Sequence, residues 1–292
     1  MSFLDHIRSC NSYDLRSFFP FYIEGQRVGY VRPEVLEVLL RSTGFIRTAD
    51  GIVIDTKYET FEDRSFLFDE AAEGLVKAGL ANMAGDELYA LKNSWEQPTL
   101  AAFNRGIAGA LGVRSYGVHV NGYKKQINGD LALWTGVRAI EKAVAPGKLD
   151  NMVAGGQPIG LSLMENLIKE AFEEANVHKS LARSAKPVSC ISYIMEDVSG
   201  LKPDVMFCYD LELPDDFVPS NTDGEVSEFI LLSADEAVRI VDETDDYKFN
   251  VNLVVTDFAV RHGLLDPDNT PDYEAIVVGL RGSSNEKSSV LV

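Results

Sequence analysis

The stretch AGGQPIGLSLMENLIKEAFEEANV, residues 154–177, joins a short glycine-rich segment to an amphipathic helix. Ser162 followed three residues later by Glu165 is the pattern of a capping box, which predicts that the helix begins directly after the glycines. Apolar residues then recur at helical spacing and predict one packed stripe: Met164, Leu167, Ile168, Ala171, Phe172 and Ala175. The glycines are expected to form a flexible loop facing this helix.

Three glutamates, Glu170, Glu173 and Glu174, occupy the later turns of the same helix. At about 100° per residue, Glu170 and Glu174 share one edge of the apolar stripe, and Glu173 lies farther toward solvent. On an ordinary helix such acids indicate only a solvated face. Opposite a glycine loop, however, these carboxylates are the type of ligand that Mg²⁺ prefers. This ion binds oxygen atoms and is usually held by carboxylates together with substrate phosphates. The pattern therefore predicts a divalent metal site, with Mg²⁺ (or Mn²⁺) as cofactor.

Length, composition and charge narrow the class of protein. At the usual ~100–200 residues per domain, 292 residues correspond to one large or two ordinary domains. With 46% hydrophobic residues and no run of about 18 apolar residues, the chain is expected to be soluble and to have no membrane partner. A net charge of −18 repels a phosphate backbone, so no nucleic-acid partner is expected.

The N-terminus and the cysteines indicate the compartment. The first residues, MSFLDHIRSC, lack the basic start and apolar core of a secretory signal, and the early Asp5 argues against a transit peptide. Cys10, Cys190 and Cys208 are far apart and form no Cys-x-x-Cys pair, which favours free thiols over disulfides or structural zinc. We therefore expect a cytoplasmic location. Cys190 and Cys208 are expected to be packed thiols.

The order of strand-like and helix-like segments predicts two domains and a tail. Residues 1–113 mix short strands and helices and are expected to form a smaller α+β domain. The small residues of AAFNRGIAGALGVRS mark the joint. Residues 114–282 alternate strands and helices without a repeating βαβ period, which predicts an α/β domain with a mixed sheet. The turn INGD predicts a β-hairpin, and residues 283–292 are expected to be a flexible tail.

Residues 155–177 resemble the Nudix box, a glycine and a spaced segment followed by Arg-Glu-apolar-x-Glu-Glu-x-Gly-apolar. The segment KEAFEEANV, residues 169–177, fits the second half in register. The resemblance implies a Nudix-type α/β/α sandwich, metal ligation by Glu170, Glu173 and Glu174, and hydrolysis of a diphosphate by water. Three positions depart from the box: Leu161 replaces an early Glu, Lys169 replaces Arg, and Asn176 replaces Gly.

Longer segments are similar to one Nudix subfamily, in which the domain is fused to thiamine pyrophosphokinase in some fungi and stands alone in fungal and plant relatives. They include APGKLDNMVAGGQPIGLS, SYIMEDVSGLKPDVMFCYDLELPDDFVP and RHGLLDPDNTPDY. This subfamily also carries an N-terminal domain of uncharacterised function, which residues 1–113 resemble more loosely. The resemblance implies hydrolysis of the oxo and oxy forms of thiamine diphosphate to the monophosphate and phosphate.

Charged residues outside the box extend the predicted site. Arg138 and Lys148 precede the glycines and, with Lys169, are predicted to bind the substrate diphosphate. Glu225 lies where Nudix enzymes often place an additional acid, able to act as a base. The predicted catalytic residues are therefore Glu170, Glu174 and Glu225. His119 alternates with apolar neighbours and is expected to face outward from its strand.

Other functions fit the same residues. The departures at Leu161 and Asn176 are also compatible with a catalytically weak diphosphate-binding protein. Nudix hydrolases of nucleoside diphosphate derivatives share the box, and a Nudix isomerase would use Cys190 or Cys208 in proton transfer. Residues 1–113 are expected either to cover the pocket or to mediate a homodimer.

Overall fold

The computed structural model describes residues 1–83 and 85–281. Its helices are α1 (Phe3–Ser9), α2 (Pro33–Leu39), α3 (Phe61–Lys77), α4 (Ala108–Leu111), α5 (Leu163–Ala175), α6 (Lys179–Ala182), α7 (Ala234–Glu243), α8 (Val251–Arg261) and α9 (Tyr273–Leu280). Its strands are β1 (Phe19–Ile23), β2 (Gln26–Val31), β3 (Phe45–Arg47), β4 (Ile52–Ile54), β5 (Leu88–Leu91), β6 (Ala101–Asn104), β7 (Ser115–Lys125), β8 (Leu131–Arg138), β9 (Leu149–Asn151), β10 (Val153–Gly156), β11 (Lys186–Asp197), β12 (Gly200–Glu212) and β13 (Val226–Ser233). The tail predicted at 283–292 lies outside the described residues.

A seven-stranded sheet forms the centre of the C-terminal region. Its main path runs β11-β12-β7-β8-β13, with β10 paired to β7 and β9 paired to β8. Strands β7 and β12 are parallel and the other pairs are antiparallel, which confirms the predicted mixed sheet. The hairpin predicted from INGD is also confirmed. Gln126 donates its N–H to the carbonyl of Asp130 at 2.8 Å, and Gly129 has φ +93°.

Helices cover both faces of this sheet. On one face α5 packs Leu167 and Ala171 against Val118 and Val120 of β7. On the other face α1, α7, α8 and α9 pack around the side chains of β11 and β12, including Met206. The three layers confirm the expected α/β/α sandwich. One of these helices, α1, comes from the first residues of the chain.

The N-terminal region has its own core. A four-stranded sheet of order β2-β1-β4-β3 packs against α2 and α3, and β5 pairs with β6 as a separate hairpin. Phe21, Phe45, Phe68 and Phe103 meet in this core with ring centroids 6.1–6.4 Å apart in tilted or edge-on contacts. The boundary near residue 113 stays a prediction.

Across residues 1–83 and 85–281, every helix is too short or too polar to cross a lipid bilayer.

Candidate active site

The start of α5 follows from the capping box. Ser162 accepts a hydrogen bond at Oγ from the Glu165 N–H (3.2 Å), and Glu165 Oε2 accepts from the Ser162 N–H (2.9 Å). The predicted apolar stripe is wrong at Phe172, whose side chain is 55% exposed. Because successive residues are about 100° apart, the buried face centres on Ala171 and takes in Glu174 instead.

The glycines have a different role from the one expected. Gly155 and Gly156 belong to strand β10 and do not form a loop. A Cβ atom at Gly155 would overlap the side chain of Glu170 and lie 2.7 Å from its Oε2. The missing side chain therefore lets the carboxylate of α5 pack directly on the strand. Gly160, with φ +87°, lies in the short connection that follows.

Glu174 is the most buried acid of the helix. Its side chain is 7% exposed, and Oε2 accepts a hydrogen bond from the Ala154 N–H at 2.8 Å. Burial raises the pKa of Glu174 well above its usual value, and the charges of Glu170, Asp150 and Glu225 raise it further. This carboxyl has no cationic partner in the described part of the chain.

Glu170 lies one turn earlier on the same side. Its side chain is 12% exposed, and burial raises its pKa above the usual value although Lys169 opposes this. Lys169 Nζ lies 3.0 Å from Glu170 Oε1 and 2.8 Å from Glu173 Oε2. Burial lowers the pKa of Lys169, but these two carboxylates outweigh burial and raise it. Lys169 thus pairs with acids of its own helix, and its role in diphosphate binding stays a prediction.

Arg138 and Lys148 are also engaged within the protein. Arg138 Nη1 lies 2.6 Å from Asp150 Oδ2, and its guanidinium also donates to backbone carbonyls at 144–145. Lys148 Nζ lies 3.1 Å from Asp245 Oδ2. Both side chains therefore hold the segment between β8 and β9, and their contact with substrate stays a prediction.

Glu225 directly precedes β13 and pairs with Lys142, the Oε2 to Nζ distance being 2.5 Å. Its charge contributes to the raised pKa of Glu174, so both carboxyls share one electrostatic environment. The loop that leads to Glu225 also contacts the end of α5, where the Thr222 N–H donates to the carbonyl of Glu173 at 3.2 Å. Glu225 therefore lies in the same region as Glu170 and Glu174, and the catalytic roles of the three acids stay predictions.

The hairpin β5–β6 adds residues that the sequence did not identify. Leu88 accepts a hydrogen bond at its carbonyl from the Ile159 N–H (2.8 Å), which ties the hairpin to the connection before α5. A Cβ atom at Gly156 would overlap the hydroxyl of Tyr89. Arg105 Nη1 lies 2.5 Å from Glu87 Oε2, and Glu87 contributes to the raised pKa of Glu170. The alternation in ELYAL places Glu87 and Tyr89 on one face but does not indicate what they contact.

The donor set has the chemistry of a magnesium site. Glu170 and Glu174 are hard oxygen donors one turn apart, Glu170 partly buried and Glu174 buried. Burial disfavours both as anions, so a divalent cation would stabilise their charged forms. In residues 1–83 and 85–281, no three Asp, Glu, His or Cys side chains are already grouped as metal ligands. The residues fit one cation bound by two carboxylates, with other ligands from substrate and water.

Two other expectations are wrong. His119 is 5% exposed instead of facing outward, because β7 is the central strand and both of its faces are covered. Its Nδ1 lies 2.9 Å from Asn151 Oδ1. Cys190 is exposed instead of packed, because it lies on β11 at the edge of the sheet, whereas Cys208 is buried as expected.

The substitution of Asn176 for the last glycine of the box has a simple explanation. Asn176 is the C-cap of α5 with φ +53° and ψ +35°, the left-handed conformation in which Asn is the commonest alternative to Gly. Its Nδ2 donates to Ser220 Oγ at 3.1 Å. This departure from the box leaves the end of the helix intact.

Comparison with known proteins identifies relatives over most of the chain. A family model described as a domain of unknown function (DUF4743) matches residues 2–115. Nudix hydrolase 20, chloroplastic, of Arabidopsis thaliana is 37% identical over 280 residues, covering 92% of this chain and 75% of that protein. Nudix hydrolase 24, chloroplastic, of the same plant is 38% identical over 276 residues, covering 93% and 75%. Among solved structures, DR0079 of Deinococcus radiodurans is 23% identical with a TM-score of 0.44, covering 59% of this chain and 98% of that chain.

Proposed function

This chain belongs to the Nudix hydrolase family, and we propose that it hydrolyses thiamine-type diphosphates, the oxo and oxy forms, to the monophosphate and phosphate with Mg²⁺. The observation that carries the proposal is a pair of carboxyls packed on strand β10, the buried Glu174 and the partly buried Glu170. The ionised forms of two acids held in this way are unfavourable by themselves. A bound cation that also contacts the diphosphate would make them favourable.

The residues have distinct roles in this proposal. Glu170 and Glu174 would hold Mg²⁺, with Glu173 as a further ligand, and the bound ion would offset the negative charge of the diphosphate. Burial raises the pKa of Glu170, which suits this carboxyl to accept a proton from water near neutral pH. Glu225 is the second candidate for this base. Lys169, Arg138 and Lys148 are the proposed contacts to the phosphates.

The substrate class is supported by the resemblance of the segments around the box to thiamine-linked Nudix proteins. The names of the Arabidopsis relatives give the hydrolase family without a substrate. We also propose a cytoplasmic location, supported by three free thiols, and a small-molecule diphosphate as the partner of the chain. The homodimer stays a proposal for residues 1–113.

A panel of diphosphates tests the substrate class. Oxothiamine, oxythiamine and thiamine diphosphates are compared with ADP-ribose and diadenosine polyphosphates, each with Mg²⁺, Mn²⁺ or EDTA. We expect metal-dependent release of orthophosphate from the thiamine set. Turnover of the nucleotide set alone would reject the thiamine class in favour of nucleoside diphosphate derivatives. Binding without turnover under all conditions would identify a diphosphate-binding protein without hydrolase activity.

A matched pair of variants tests the site. Glu174→Gln should lower kcat at least about a hundredfold, because the amide cannot provide an anionic ligand. Glu165→Gln on the same helix keeps the capping box, since Gln also serves at that position, and should leave kcat within about twofold. Circular dichroism checks that both variants fold. Near-normal phosphate release by Glu174→Gln would refute the assignment of Glu174 as a metal ligand.

A further inference from the structure

A cavity of about 80 Å³ opens where the N-terminal region meets the connection between β10 and α5. Tyr89, Lys92 and Trp95 line it from the N-terminal side, and Tyr116 and Gln157 line it from the sandwich. Concave sites with aromatic walls and a few polar groups are the usual places where proteins bind small molecules.

Gln157 lines this cavity and carries an unused acceptor. The residue is 5% exposed, and its Nε2 donates to the carbonyls of Leu161 (2.8 Å) and Pro158 (3.3 Å). Because both partners are acceptors, the orientation of the amide is fixed. Within the described residues, its buried Oε1 has no hydrogen-bond partner. A buried acceptor without a donor is unfavourable, so the cavity favours a ligand that carries an N–H group.

Lys92 and two aromatic rings form the opposite part of the cavity. Lys92 Nζ lies 3.9 Å from the centroid of the Trp95 ring and 5.6 Å from that of Tyr116. The rings of Trp95 and Tyr116 are 5.3 Å apart at 64°. Lys92 also donates to the carbonyl of Trp95 at 2.8 Å, its one hydrogen-bond acceptor in the described chain. The ammonium group therefore retains N–H donors for an acceptor in the cavity.

Tyr89 connects the cavity to the carboxylates. Its hydroxyl packs on Gly156, and the preceding glycine, Gly155, packs on Glu170. Burial raises the pKa of Tyr89, and the charge of Glu170 contributes to the same effect. The cavity and the proposed diphosphate site therefore adjoin at the end of β10.

We propose that this cavity binds the heterocyclic ring of the substrate and that Lys92 selects rings bearing a carbonyl oxygen, an inference that rests on the proposed diphosphatase function. A ring N–H donates to Gln157 Oε1, a ring carbonyl accepts from Lys92 Nζ, and the ring face contacts Trp95. The ligand class is a planar heterocycle with a lactam or keto group, attached to a diphosphate. Tyr89, Lys92 and Trp95 of the N-terminal region thereby contribute to the specificity of the enzyme.

Kinetics with two substrates test the role of Lys92. Oxythiamine diphosphate carries a ring carbonyl beside a ring N–H, where thiamine diphosphate carries an amino group. Lys92→Met should lower the ratio of the oxythiamine to the thiamine kcat/KM value about tenfold, mainly by raising KM for the oxy form, because Lys92 is proposed to contact the ring and not the reacting phosphorus. Lys92→Arg keeps a charged donor and should retain most of the ratio. The control is Lys57→Met, which removes a lysine 5.2 Å from the Tyr58 ring and outside the cavity.

A binding experiment in the absence of metal tests the cavity separately from the proposed hydrolysis. The chain has two tryptophans, so Trp134→Phe leaves Trp95 as the single reporter. Oxythiamine monophosphate in EDTA should change Trp95 fluorescence, and adding Lys92→Met to the Trp134→Phe variant should weaken this binding about tenfold. Equal effects of Lys92→Met and Lys57→Met would overturn the inference, even if the wild type hydrolyses thiamine-type diphosphates. Lys92-dependent binding without turnover of any diphosphate would uphold the cavity and overturn the proposed function.

Discussion

Acid should destabilise the folded chain through His119 over a defined pH range. His119 lies in the central strand β7, and Lys248 is close enough to act on its charge. Burial, with the positive charge of Lys248 adding to it, lowers the pKa of His119 from 6.5 to about 4. The folded protein therefore keeps this imidazole neutral at pH values where the unfolded chain protonates it.

The sign and size of the effect follow from this difference in pKa. Because the unfolded state binds the proton first, the contribution of His119 to stability is complete above pH 6.5 and is lost as the pH falls toward 4. With these two pKa values, His119 lowers the free energy of unfolding by about 2 kcal/mol between pH 7.5 and pH 5. His119→Gln has no group that titrates in this range.

Urea unfolding of the wild type and His119→Gln at pH 7.5, 6.5, 5.5 and 5 measures the effect. Tryptophan fluorescence and circular dichroism should give coincident transitions for the comparison to be valid. His119→Gln is expected to be the less stable protein at pH 7.5, and its deficit should shrink by about 2 kcal/mol at pH 5. A deficit that is the same at all four pH values would refute the assignment of a buried, neutral imidazole.

Three substitutions test other features of the fold and the site. Gly155→Ala should lower kcat at least about tenfold without loss of secondary structure by circular dichroism, because the added Cβ displaces the Glu170 carboxylate; unchanged kcat would contradict this. Asp257→Asn should lower the free energy of unfolding by about 3 kcal/mol in urea, because the fully buried Asp257 is 2.6 Å from Arg261; a change below about 0.5 kcal/mol would refute the importance of this pair. Phe172→Ser should change the melting temperature little, because the ring is 55% exposed; a drop above about 5 °C would show that the ring contributes to packing.

Features encoded by adjacent residues could be predicted from the sequence. The capping box fixed the start of α5, the Asn-Gly pair marked the β7–β8 hairpin, and the resemblance to the Nudix box supplied the three-layer sandwich. The errors at His119 and Phe172 have one cause. Burial at these positions depends on which elements pack over them, and local alternation of polar and apolar residues does not contain that information.

The residues of the candidate site that could not be predicted from the sequence were missed for the same reason. Glu87, Tyr89 and Arg105 lie far before the glutamates of α5 in the sequence, and only the docking of β5 on the segment before α5 brings them together. Periodicity predicted β5 as a strand. It could not predict which surface the strand would contact, because such contacts depend on the packing of whole regions.

The position of α1 has a consequence for the order in which the chain can fold. Phe3 and Ile7 pack in a core with residues of α8 and α9, and His6 Nε2 lies 2.8 Å from the carbonyl of Val241. Because α1 is synthesised before α8 and α9, its apolar face has no native partner until those helices have been made. The contact between His6 and Val241 joins segments 235 positions apart in the sequence, so completing this layer of the sandwich should be a slow, chaperone-sensitive step.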